Sequence, residues 1–233
     1  MFTIYPADQR FHFDREWLRG SHSFSFGEYQ DSDNVSFGPL RVFNDDIISP
    51  SHGFGAHPHS DMEIVSIVLQ GQLRHEDNLG NEAVSSFGGI QRMSAGSGVV
   101  HTEHNASDEH DCNLLQLWFE PEARGLTPSY MTSSFHPASL NGTLLPIVSR
   151  QGGENQATIH QDLTIYLSRL EAGQQIEFVQ QPHRRTYVFV INGSLRVNDE
   201  YELSTRDAAR IEEVSKLELV AEQPVFWLLI DLP

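Results

Sequence analysis

Three histidines and a glutamate fall in two pairs with the same spacing: His57-Pro58-His59 and His101-Thr102-Glu103. Residues two apart on a β-strand share a face, so each pair projects both side chains in one direction. Together the pairs offer three imidazoles and one carboxylate. That donor set suits Fe, Mn, Co, Ni, Cu or Zn. Four protein ligands leave a metal that prefers five or six with open positions for water, substrate or dioxygen. A lone His-x-His among 12 histidines is a weak signal, and a solvated loop explains it equally well. The second pair follows the glycine-rich turn Gly96-Ser97-Gly98, which makes coincidence remote. Glu63 keeps the parity of His57 and His59, as do Val65, Ile67 and Leu69, so this face is expected to line a barrel interior. Glu63 is expected to hold an imidazole from behind, with a place as a further ligand the less favoured reading. Asn105 reads equally as such an outer partner or as a turn residue. The other nine histidines, His75, His104 and His160 among them, have no suitably paired neighbour and receive no role.

The strands that must carry these pairs are legible from their punctuation. Turn residues recur at short intervals, as at Gly71, Gly88-Gly89, Asn141-Gly142, Gly173 and Asn192-Gly193. Between them lie short apolar, β-branched runs such as 64–69, 114–119, 163–170, 187–191 and 225–230. None has the length or the 3.6-residue period of a long amphipathic helix, so the expected class is all-β, a sandwich or barrel. A weak internal repeat supports two such bodies. Glu63–Leu73 resembles Arg185–Leu195, each an apolar strand, a glycine turn and a second strand beginning with Leu. Aligning Gly71 with Gly193 places Val179, Gln181 and Arg185 opposite His57, His59 and Glu63, so the second body is expected to be metal-free. A polar, Pro/Gly-containing stretch, 120–129, suggests a boundary that gives domains 1–130 and 131–233.

Composition narrows the function. The 233 residues carry 15 Lys+Arg against 32 Asp+Glu, a net charge of −17, with no basic cluster to offset it. Such a surface repels phosphate backbones and anionic membranes, so direct nucleic-acid or membrane binding is not expected. No apolar run is long enough to span a bilayer, and the first residues lack a secretory pattern. The single cysteine, Cys112, is expected as a small buried apolar residue in a reducing compartment, with the cytoplasm as default.

Four segments make the sequence resemble the pirin family of the cupin superfamily: Phe24-Ser-Phe26 with Tyr29 and Asp31; Phe37–Asp45; Gly53–Glu63; and Gly89–Asn105. They cover about the first half of the chain. The second half matches only in its cupin-like repeat and its Leu-Leu-Ile-Asp-Leu-Pro ending. The resemblance implies a bicupin of two jelly-roll-like β-barrels, with one metal, usually iron as Fe(II), in the N-terminal barrel. Carried over by motif, the ligands fall on His57, His59, His101 and Glu103. Other cupins take the acid of the first motif instead, which keeps Glu63 open as ligand or base. Ser94-Ala-Gly96 in the second motif agrees with pirins rather than with other cupins. Bacterial members resemble quercetin 2,3-dioxygenases, which open a flavonol with O2 and release carbon monoxide. That implies a planar phenolic substrate, dioxygen as co-substrate, and Glu103 or Glu63 as general base; a monomer is expected. Eukaryotic members imply the alternative, a metal-responsive transcriptional co-regulator acting through a protein partner without turnover.

Overall fold

The computed structural model describes all 233 residues, and apart from two single-turn 3-10 helices its regular structure is all strand. Two compact units emerge. The N-terminal unit is Phe11–Phe135 with Arg150–Gln161, and the C-terminal unit is Met1–Arg10, His136–Ser149 and Asp162–Pro233. In chain order the strands begin with β1 (Phe2–Tyr5), which belongs to the C-terminal unit. The N-terminal unit follows with β2 (Phe11–Arg15), β3 (Leu18–His22), β4 (Leu40–Ile48), β5 (Gly53–His59), β6 (Glu63–Gln70) and β7 (Leu73–Asp77). It continues with β8 (Glu82–Ser85), β9 (Gly89–Ser94), β10 (Val99–Asn105), β11 (Cys112–Phe119) and β12 (Ser129–Ser134). After β13 (Leu145–Ser149) and β14 (Ala157–Thr158), the C-terminal unit holds β15 (Thr164–Leu170), β16 (Gln175–Val179), β17 (Arg185–Asn192) and β18 (Ser194–Val197). Its last strands are β19 (Tyr201–Ser204), β20 (Ala208–Glu212), β21 (Lys216–Val220) and β22 (Val225–Leu232).

Each unit is a pair of sheets. In the N-terminal unit a seven-stranded sheet runs β12-β9-β6-β11-β4-β3-β2 and a four-stranded one runs β5-β10-β7-β8. In the C-terminal unit the corresponding orders are β1-β20-β17-β22-β15-β13 and β16-β21-β18-β19. The two units share one topology, so the faint repeat in the sequence is a structural duplication. Gly71 and Gly193, the residues on which that repeat aligns, occupy equivalent turns at φ +77° and +94°. A Cβ there would strike a backbone carbonyl, that of Asp111 or of Pro224, so glycine is demanded twice by the same close approach.

The expected division at 130/131 is corrected in two ways. A cut there would sever β12, which pairs with β9 from Ser129↔Ser94 to Ser134↔Gly89. It would also miss β1, which pairs with β20 (Phe2↔Ile211 through Tyr5↔Ala208) and fills beside β20 the place β12 fills beside β9. Backbone hydrogen bonds made far along the chain decide membership, and composition does not report them.

The duplicated interiors are filled differently. Ser66 of β6 faces Gln116 of β11, whereas the matching pair in the C-terminal unit is Val188 and Leu229, both fully buried. Around that apolar pair Leu195, Val197, Leu217, Leu219 and Trp227 complete one hydrophobic cluster. Each such side chain contributes about 1.5–3 kcal/mol by leaving water. Val179 ends β16 on the surface, Gln181 is exposed, and Arg185 opens β17.

Candidate metal centre

The centre is built on β5 and β10 of the four-stranded sheet. β10 alternates strictly: Val99, His101, Glu103 and Asn105 are buried, and the residues between them are not. The pattern points His101 and Glu103 into the space between the sheets. β5 is an edge strand paired only with β10, so Pro58 removes no ladder bond that the sheet needs. Its register sets His57 opposite His101, then slips so that Phe54 faces Glu103. That irregularity falls at Gly55 and Ala56 and re-aims the strand end that bears the two histidines.

The structure brings His57, His59 and His101 together, with one ring nitrogen of each within 4.8 Å of the others. Glu103, His101 and His75 form a second group within the same limit, and His101 belongs to both. His57 Nδ1 lies 2.8 Å from its neighbour's carbonyl, Gly55 O, so it donates there and leaves Nε2 bare. That Nε2 stands 3.0 Å from His101 Nε2. His59 Nε2 is buried without any hydrogen-bond partner, and its ring rests edge-on against Trp118 at 4.7 Å. A buried nitrogen with no partner is costly unless something accepts its lone pair. Burial, reinforced by the neighbouring His101 and His57, lowers the His59 pKa to about 4; burial, with His57 and His75 next in weight, lowers that of His101 to about 3. Both rings are therefore neutral at physiological pH, the form that binds a metal. Glu103, 3% exposed, accepts hydrogen bonds from Ser66 Oγ (3.1 Å) and Gln116 Nε2 (2.5 Å). Gln116 is oriented in turn by Trp118 Nε1, 3.2 Å from its Oε1. Converging neutral imidazoles, an unsatisfied buried nitrogen and an anchored carboxylate fit a divalent transition metal.

Glu63 does not join either group, which corrects the expectation for its face. It is fully buried, but His160 N and Nδ1 approach its carboxylate at 3.1 and 3.3 Å, and the Arg92 guanidinium is near enough to interact with it electrostatically. The turn at 60–62, with Asp61 at φ +48°, ends β5 and starts β6 in the other sheet, so parity does not carry through. The residues of β6 that face the site side are Ile64, Ser66 and Val68: Ser66 bonds Glu103, and the other two join clusters with Trp118 and Phe54. Asn105 is a backbone anchor, donating to the carbonyls of Ile48 and His110.

His75, given no role from sequence, is 2% exposed and sits in this centre. Its Nδ1 is 3.3 Å from His101 Nδ1, its Nε2 is 3.2 Å from Asp77 Oδ2, and its ring stacks on Tyr130 at 4.1 Å. The signal was available: His75-Glu76-Asp77 is a third pair with the two-residue spacing.

A cavity of about 520 Å³ opens onto the centre. Its walls are largely aromatic, with Phe11, Phe13, Trp17, Phe26 and Trp118, and His57 and Glu103 line it as well.

Comparisons with known proteins identify the fold and the family. Residues 6–119 match the pirin family, and residues 146–232 match the quercetinase C-terminal cupin domain. Quercetin 2,3-dioxygenase of Escherichia coli (strain K12) is 35% identical over 233 residues, spanning 100% of this chain and 99% of that one. A pirin-like protein of Caulobacter vibrioides is 35% identical, spanning 97% of each. The crystal structure of the bacterial pirin YhhW from Escherichia coli in complex with nickel(II) superposes with a TM-score of 0.94 at 34% identity, covering 100% of this chain and 99% of that chain. The all-β, two-cupin architecture is thus shared along the whole length, and this chain is a member of the pirin family.

Proposed function

We propose that this protein is a metal-dependent dioxygenase that cleaves flavonols such as quercetin with O2 and releases carbon monoxide. The observation that carries the reading is the aromatic cavity ending at a histidine cluster and an anchored carboxylate. His57, His59, His101 and Glu103 would hold one divalent metal, with Fe(II) the first expectation and Ni(II) supported by the complex of the related pirin. When bound, the metal supplies Lewis acidity toward the flavonol 3-hydroxyl and the adjacent carbonyl oxygen.

The protein's own groups do the rest. Phe11, Phe13, Trp17 and Phe26 offer flat apolar surface to a planar phenolic substrate and keep water away from it. Glu103 reaches the cavity and is the general base for the 3-hydroxyl proton. Ser66 and Gln116 fix its two oxygens, so the carboxylate is aimed before substrate arrives. Glu63 has no part in this scheme, because its carboxylate is engaged by His160.

The test is aerobic incubation of quercetin with protein loaded separately with Fe(II), Ni(II), Mn(II), Co(II) or Cu(II). Loss of the yellow absorbance with release of carbon monoxide is expected for at least one metal, and none for chelated protein. No turnover of several flavonols with any of these metals would overturn the proposal and favour the co-regulator reading.

A further inference from the structure

We infer that Asp77 and His75 form a hydrogen-bonded relay that fixes the orientation and tautomer of His101, making His75 a positioning residue for the metal ligand. The inference rests on the metal reading above and adds two residues to it.

The relay follows from what each atom can do. The Asp77 side chain is only 1% exposed, and its carboxylate is held firmly: Oδ1 accepts from Leu79 N (2.9 Å), Asn81 N (3.0 Å) and Asn81 Nδ2 (3.1 Å), and Oδ2 accepts from the same Asn81 Nδ2 at 2.9 Å. Oδ2 also faces His75 Nε2 at 3.2 Å. An ionised carboxylate only accepts, so His75 Nε2 carries the proton. In a neutral imidazole the remaining nitrogen is then an acceptor. That nitrogen, His75 Nδ1, lies 3.3 Å from His101 Nδ1, which therefore donates. With its proton on Nδ1, His101 presents a bare Nε2, and this is the nitrogen 3.0 Å from His57 Nε2. Tyr130 stacks on the His75 ring with an interplanar angle of 12°, which stops it rotating. Cross-strand register delivers the parts: β7 lies beside β10 with Asp77 opposite His101 and His75 opposite Glu103. Metal-bound histidines commonly lean directly on a carboxylate or carbonyl. Here a second imidazole is interposed, and the anchored Asp77 stands one residue further out.

Three variants separate this from simple packing. His75→Phe keeps an aromatic ring for Tyr130 but offers no acceptor to His101. His75→Asn loses the ring, yet its Oδ1 falls near the place of the imidazole Nδ1 and can accept. In Asp77→Asn the two backbone donors of Leu79 and Asn81 hold Oδ1 in place, so the amide NH2 replaces Oδ2, gives up the contact there with Asn81 Nδ2, and drives the proton of His75 onto Nδ1. The relay predicts that Ni(II) affinity, measured by competition with a chelator, falls about 10–100-fold in His75→Phe and Asp77→Asn and stays within about threefold of wild type in His75→Asn. A packing role predicts the reverse order for the two His75 variants, and circular dichroism of the metal-free proteins checks that each is folded. Long-range 1H–15N correlation on the wild-type Zn(II)-loaded protein gives a reading that needs no variant: protons are expected on His75 Nε2 and His101 Nδ1. A proton on His75 Nδ1, or Ni(II) affinity within twofold of wild type in folded His75→Phe, would overturn the relay alone. Failure of the wild type to take up either metal would overturn the metal reading and the relay together.

Discussion

Replacing Glu103 by Gln should separate stability from function. In the metal-free protein Glu103 is a nearly buried carboxylate whose compensation is two hydrogen bonds, from Ser66 and Gln116. Burying an ionised group costs several kcal/mol before such compensation. Glutamine has the same shape, and with Oε1 toward Gln116 and its NH2 toward the Ser66 hydroxyl it keeps both contacts, since that hydroxyl can turn and accept. The metal-free variant should therefore be at least as stable as wild type. Metal binding should move the other way. At a metal concentration 100 times the wild-type Kd, binding stabilises the wild type by about 2.7 kcal/mol, whereas a 100-fold weaker Kd in the variant leaves about 0.4 kcal/mol at the same concentration. For a chain of this size that is a rise in Tm of about 5–10 °C against one of about 1 °C. Turnover of quercetin, if Glu103 takes the 3-hydroxyl proton, should drop by about 10²–10⁴-fold. Thermal melts of chelated and Ni(II)-loaded protein, with the quercetin assay alongside, read all three quantities. A metal-free variant destabilised by more than about 2 kcal/mol, beyond one ordinary hydrogen bond, would make Glu103 a structural residue. A Ni(II)-induced rise equal to that of wild type would remove it from the ligand set.

Other outcomes follow from the same geometry. His57→Ala, His59→Ala and His101→Ala should each lose most bound metal yet stay folded, and elemental analysis showing a full equivalent retained by His101→Ala would refute the cluster. Wild type should carry one ion per chain, because the interior opposite the cluster is Val188, Leu229 and their apolar neighbours; a second tightly held ion would contradict that. Metal-free protein should lose stability with acid. Above about pH 6.5 the His59 and His101 rings are neutral in both folded and unfolded chain. From there down to about pH 4 only the unfolded chain takes up their protons, and for His59 the drop from 6.5 to about 4 corresponds to about 2–3 kcal/mol once discounted for solvent screening of a partly exposed ring. Chemical denaturation across that range checks it, and flat stability would argue against buried neutral rings. Burial, with the Glu103 charge behind it, pushes the Cys112 thiol up to about 12, so iodoacetamide at pH 8 should label the folded protein far more slowly than the denatured one.

Strand alternation is a local rule, and it located His57, His59, His101 and Glu103 because each pair lies within one strand. It failed at Glu63, where three turn residues carry the chain from one sheet to the other and reset the count. It passed over His75 for a different reason: what joins His75 to His101 is the lateral register of β7 on β10, a relation between segments that neither contains. His160 against Glu63 is the same case across 97 positions. The duplication showed in the Gly71 and Gly193 turns because a close backbone approach tolerates only one residue type there. The difference between the two interiors was legible where Val179, Gln181 and Arg185 stand opposite His57, His59 and Glu63, whereas the support that Ser66 and Gln116 give Glu103 depends on the pairing of β6 with β11.

The pairing of β1 with β20 also bears on how the molecule is made. Phe2 and Ile211 meet across 209 positions, so β1 is made long before the strand it pairs with. At synthesis rates of about 5–20 residues per second, the opening segment waits roughly ten to forty seconds with its edge unpaired. The N-terminal unit does not need it, since β12 caps β9 within the first 135 residues. The metal-site body can thus assemble while the chain is still growing, whereas the C-terminal body closes only once β20 has been made and β1 docks against it.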